Sequence, residues 1–179
     1  MHFGSPYACS PLPTVPTQIH PALGFSHTPH LSYNVSLPPT TVTPHLPSLS
    51  PTVLAESATN PPLPTLTIVH PYLPWPITIT PSSGKPGAFI TVSDVLRGIY
   101  HSLRLNVTPA EFKNLPSTEA QHRVNEAYRR RYKRITDARV YAEEKGKGLK
   151  RVDFLVDKHR FMGLVSTQRG PTVWELSVS

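Results

Sequence analysis

Phe89-Ile90-Thr91-Val92-Ser93-Asp94-Val95-Leu96-Arg97-Gly98-Ile99-Tyr100-His101-Ser102-Leu103-Arg104-Leu105 reads as a helix with a marked start. Thr91 is placed as the N-cap, and Asp94, three residues on, can reach back to the Thr91 amide to close a capping box. Ile90 before the cap and Val95 within the helix supply the matching hydrophobic staple. Val92, Val95, Leu96, Ile99, Tyr100 and Leu103 recur at helical spacing, and Ser93, Arg97, His101 and Arg104 take the opposite face. Such a stripe must be buried, and the β-like segments on either side are its partners. The stretch predicts a folded domain and carries no catalytic pattern.

On the N-terminal side, Leu66-Thr67-Ile68-Val69 and Trp75-Pro76-Ile77-Thr78-Ile79-Thr80 predict two strands joined by a turn over His70 to Pro74. Trp75, Ile77 and Ile79 share one face, and Pro76 places the second strand at a sheet edge or a strand end. Residues 40–62 read as a Pro/Ser/Thr-rich loop with a small helix around Thr52 to Ser57. Leu31 to Ser36 alternates like a half-buried strand. His20 begins the ordered chain and is expected to make a hydrogen bond that fixes its path. Residues 1–18 predict a disordered tail, in which Pro11 to Pro16 could adopt polyproline II.

On the C-terminal side, Thr108, Pro109 and Glu111 form a second capping box, with Val107 and Phe112 as staple. Ser117 caps a longer helix that places Ala120, Val124, Ala127, Tyr128, Arg131 and Ile135 along one side. Val140 to Lys145 continues it after a break at Thr136-Asp137, and Gly146-Lys147-Gly148 is a turn. Three strands are expected to close the chain: Arg151 to Val156, Arg160 to Val165 and Thr172 to Val178. Asp157-Lys158-His159 would make the first two a hairpin. Gly163 suggests a bulge, or a large ring packed on the backbone. The fold class is therefore α+β, an antiparallel sheet with about three helices packed on it. It is expected as one domain over residues 19–179 behind the tail.

Charge is unevenly placed. Nineteen of the 22 prolines lie in residues 1–90, which hold one basic residue (Lys85) and one acid (Glu56). Residues 123–151 hold 11 basic and four acidic groups, equal to the net charge of +7 of the whole chain. So local an excess suggests an acidic partner. The single cysteine, Cys9, rules out an intramolecular disulfide scaffold. No run approaches the ~20 apolar residues of a membrane span, and no secretory signal is visible, so the cytosol or nucleus is the expected compartment.

Catalytic chemistry finds little support. Asp94 is accounted for as a cap. Asp153, alternating with Val152 and Phe154, is read as facing away from them and paired with Arg151 or Lys150. The nine histidines show neither the i, i+4 helical pairing nor the finger spacing of a metal site. Cys9 has no base near it in sequence, and Gly146-Lys147-Gly148 lacks the setting of a phosphate loop. No catalytic, cofactor or metal residue is assigned. The basic cluster is what rises above background, with Arg123, Arg130, Lys133, Arg134, Lys150 and Arg151 as candidate polyanion-binding residues. A solvated helix face and a nuclear-import run are the competing readings.

His20-Pro21-Ala22-Leu23, Pro74-Trp75-Pro76-Ile77, Ile90 to Leu96, Lys150 to Leu155, Phe161-Met162-Gly163-Leu164 and Trp174-Glu175-Leu176 occur in that order. Together they resemble an uncharacterised domain family of fungal proteins, domain of unknown function 6699, from about residue 19 onward. The sequence reads Tyr33-Asn34-Val35 where the resemblance implies an aromatic-Asp-Leu tripeptide. The resemblance implies a single α+β domain and supplies no activity. The expected function is a non-catalytic interaction module with a protein partner. The alternative is weak, sequence-independent binding of nucleic acid or another polyanion, and an unidentified enzyme comes third.

Overall fold

The structure, a computed structural model, describes residues 16–44 and 51–179. The expected tail up to residue 15, Cys9, most of the Pro11–Pro16 run and residues 45–50 of the long loop lie outside the described residues. Four two-residue strands come first: β1 (Gln18–Ile19), β2 (Leu31–Ser32), β3 (Thr43–Pro44) and β4 (Thr59–Asn60). They pair antiparallel as β1–β4 and β2–β3. A 3-10 turn at Pro51–Ala55 stands where the small loop helix was expected.

β5 (Leu66–His70) and β6 (Leu73–Ile79) form the predicted hairpin. The helices follow: α1 (Val92–Leu103), α2 (Pro109–Lys113), α3 (Thr118–Lys133) and α4 (Ala138–Gly146). β7 (Phe161–Ser166) and β8 (Val173–Val178) close the chain. The sheet order is β6-β5-β8-β7. The α+β class holds. Within the sheet the β5–β8 junction is parallel, which the long helical crossover between those strands permits.

Both sheet edges are protected. β6 is an edge strand, where Pro74 and Pro76 cannot donate to another chain. The outer edge of β7 is covered by the N-terminal segment. The Leu164 amide donates to the Leu23 carbonyl (2.7 Å), the Phe25 amide to that of Leu164 (3.1 Å) and the Phe161 amide to that of Tyr33 (2.9 Å). Gly163 (φ 119°) makes this approach possible, because a Cβ there would overlap the Gly24 carbonyl and the Phe25 backbone. The close neighbour is thus main chain rather than a ring, and the β7–β8 register shifts at this point.

α1 starts as its sequence predicts. The Asp94 amide donates to Thr91 Oγ1 (3.1 Å), and Asp94 Oδ2 accepts from the Thr91 amide (3.0 Å) and hydroxyl (2.8 Å). Val92, Val95, Leu96, Ile99 and Leu103 are buried against the sheet in a core with Phe154, Phe161 and Trp174. Full burial of each such side chain contributes about 1.5–3 kcal/mol. Gly98 lets the helix approach β6, since a Cβ would meet the Ile79 side chain.

Four expectations are corrected. Leu31 to Ser36 is a strand over Leu31–Ser32 alone, because Asn34 Oδ1 accepts from the Ser36 amide (2.9 Å) and turns the chain. Arg151–Leu155 is a 3-10 helix rather than a strand, so there is no hairpin at 157–159, and β7 pairs with β8. Asp153 does not face outward: it is buried, its Oδ2 accepts from the Lys150 amide (2.8 Å), and its side-chain partner is Arg131. Residues beyond Thr136 form a separate helix, α4, because Asp137 Oδ1 accepts from the Arg139 and Val140 amides and starts it afresh.

Candidate binding groove

The candidate polyanion residues divide into three groups. Arg123, Arg130 and Lys133 lie on α3, as expected, and Arg134 is its C-cap. Arg130 is engaged by Asp157 (2.7 Å), and Arg134 approaches the same carboxylate at 3.9 Å. Arg123 faces Glu119 at 3.6 Å and is 58% exposed. Lys150 is buried, with Nζ 3.3 Å from Glu144 Oε2. Arg151 lies with its guanidinium 4.5 Å from the Trp75 ring centre. The last two are therefore withdrawn from the basic face, because the segment that carries them folds inward as the 3-10 helix.

Lys150 belongs to an ionic cluster that joins α1, α3, α4 and the 3-10 helix. Glu144 receives Arg131 (2.8 Å), Lys147 (3.0 Å), Arg104 (3.2 Å) and Lys150 (3.3 Å). Arg131 also makes a two-pronged bond to Asp153 and donates to the Gly148 carbonyl. Burial alone would raise the Glu144 carboxyl, but bonds from Lys147 and Lys150 and the charge of Arg104 outweigh it and hold it at about 2. Every acid in this cluster is matched by cations of the chain itself, which makes it structural cement.

His20 is also structural, as expected. Its Nδ1 accepts from the Ala22 amide (3.1 Å), which leaves Nε2–H to donate to Glu56 (2.9 Å). Both ring nitrogens are thereby used, and neither is free to activate Ser57 in the shallow pocket they share. Among the described residues, no three His, Cys, Asp or Glu side chains are grouped to hold a metal ion.

The chain also has an apolar groove of about 550 Å³, which sequence reasoning missed. Four pieces of chain build it. The β5–β6 turn and the start of β6 supply Pro71, Tyr72, Pro74 and Trp75; α2 and its exit supply Glu111, Leu115 and Pro116. α3 contributes Ala120, Arg123 and Val124, and the end of the 3-10 helix contributes Phe154 to Val156 and Lys158. Trp75 is fixed from three sides. Its indole N–H donates to Glu111 Oε1 (2.7 Å), Phe154 meets it edge-on at 5.0 Å, and Arg151 covers a face.

Glu111 is held in turn by the capping box predicted from sequence. Its Oε2 accepts from the Thr108 amide (2.7 Å) and hydroxyl (2.8 Å). These bonds, with that from Trp75, keep its carboxyl below the usual range. It stays ionised with its acceptors occupied, a poor starting point for acid or base catalysis. The wall opposite contains two consecutive left-handed residues, Val156 (φ 47°) and Asp157 (φ 65°). For a β-branched residue this conformation is strained, at about 1–3 kcal/mol. The Arg130–Asp157 pair and Lys158, whose Nζ lies 5.7 Å from the Tyr72 ring centre, hold the turn in place.

A family of unknown function, DUF6699, matches residues 31–171 of the chain. The chain belongs to this family. All residues lining the groove fall inside the DUF6699 span, whereas His20 to Leu23 and Trp174 to Leu176 lie outside it. No curated protein and no solved structure matches the chain. Among the described residues, no helix is long and apolar enough to cross a membrane.

Proposed function

We propose that this DUF6699 chain is a non-catalytic interaction module that docks a short extended segment of a protein partner in the groove. The observation that carries this reading is the immobilised Trp75 beside the 53% exposed Tyr72, within a proline- and aromatic-lined cleft. Aromatic side chains on a rigid wall give large contact area with little entropy lost on binding, and they are enriched with Arg at protein interfaces. The cleft falls in the range of roughly 300–1,000 Å³ seen for binding sites. Its one carboxylate, Glu111, is spent on structure, and no histidine lines it. That favours binding over turnover.

Polyanion binding, the alternative, is left with Arg123, Arg130, Lys133 and Arg134 as the exposed members of its candidate set, Arg130 paired with Asp157 and Arg134 near the same carboxylate. Selection from a random-peptide display library tests the primary reading. Peptides held by the wild-type chain should bind Tyr72→Ala about tenfold more weakly, since truncating an aromatic contact of this kind removes about 1–2 kcal/mol. Tyr72 is half exposed, so the variant should keep its fold. Equal binding by both proteins, or no enrichment at all, would reject the groove as the docking site.

A further inference from the structure

The charges around the groove identify the kind of segment it takes. Three cations line or flank it from different elements: Arg123 on α3, Lys158 on the strained turn and Arg151 over Trp75. Glu111 faces them, and its carboxylate, held by three hydrogen bonds, offsets the charge of Arg151 and leaves Arg123 and Lys158 as the cations of the rim. Asp157, on the same turn as Lys158, is taken by Arg130. Arg123 keeps unused donors, since its nearest acid is the exposed Glu119 at 3.6 Å. The cleft is thus apolar at its floor and positive at its rim.

Resting on the docking reading, we infer that the partner segment is acidic: apolar or proline residues seat on Trp75 and Tyr72, and Asp or Glu side chains beside them meet Arg123 and Lys158. The chain's own proline-rich stretches do not fit this description, because residues 1–90 contain a single acid, Glu56, already bonded to His20. A partner from another protein fits it. Rim pairs of this type act mainly on association rate and on the choice of partner.

Peptides from the same display selection, sorted by whether they need Tyr72, provide the test. Asp and Glu should be enriched next to the apolar anchors of the Tyr72-dependent peptides. The double variant Arg123→Glu/Lys158→Glu should bind them about tenfold more weakly, mostly through slower association. Wild-type binding should weaken as salt rises from about 50 to about 500 mM, a measurement that does not depend on the variant folding. Tyr72-dependent peptides that are neutral or basic, with salt-independent binding, would overturn the acidic-segment inference and leave the groove reading standing. Absence of any Tyr72-dependent peptide would overturn both. Retention of a random-sequence DNA duplex through Arg123 and Lys158, with no acidic preference among peptides, would assign the rim to nucleic acid and also overturn the inference.

Discussion

At Glu144, burial and charge pull in opposite directions, and charge wins. The carboxyl titrates at about 2 in the folded chain against an ordinary value of 4.5. Because the folded value is depressed, this group's contribution to stability is complete above about pH 4.5 and is lost as pH falls toward 2. Glu144→Gln leaves Arg104, Arg131, Lys147 and Lys150 without their common partner, and should destabilise the domain by about 3–5 kcal/mol at neutral pH. Denaturant melts of the two proteins should differ most above pH 4.5 and converge toward pH 2; a gap that stays constant with pH would show that charge is not the source. Composition could count the basic residues of this region, but not their partners. Lys150 reads as part of a basic patch because nothing local in the sequence marks Glu144 as the acid that meets it in the interior. Asp94 and Glu111 were legible, since a capping box is completed within three residues.

Among the elements, α1 is the one whose start, face and burial all follow from local spacing. Ile99 lies at the centre of its buried stripe and is fully buried. Ile99→Ala should lower stability by about 2–5 kcal/mol through lost burial and a residual cavity, measured as a shift in denaturation midpoint. A variant that melts like the wild type would place Ile99 outside the core. The segment Arg151–Leu155 shows where periodicity misleads. Val152 and Phe154 alternate with charged residues as a strand would, yet Val152, Asp153, Phe154 and Leu155 are all buried. Asp153 turns inward to accept from the Lys150 amide and from Arg131, 22 residues earlier. A tertiary pair of that separation has no signature in a short window.

On the scale of the whole molecule, the α+β class and most of the elements could be read from patterning, whereas the sheet order and the groove could not. β5 and β8 meet only because the intervening helices return the chain alongside its earlier strand. The groove joins the β5–β6 turn, α2, α3 and the turn after the 3-10 helix, which are adjacent only after folding. Trp75 was visible as a strand residue, and Glu111 as a cap; their hydrogen bond across 36 residues was not. The most direct measurement is hydrogen–deuterium exchange on the full chain, with and without a Tyr72-dependent peptide. Docking in the groove predicts slowed exchange confined to the segments around residues 71–75, 111–124 and 154–158, and unchanged exchange around residues 18–24 and 56–60, where the second pocket lies. Protection centred on that second region, or spread evenly over the chain, would contradict the groove as the place where this protein meets its partner.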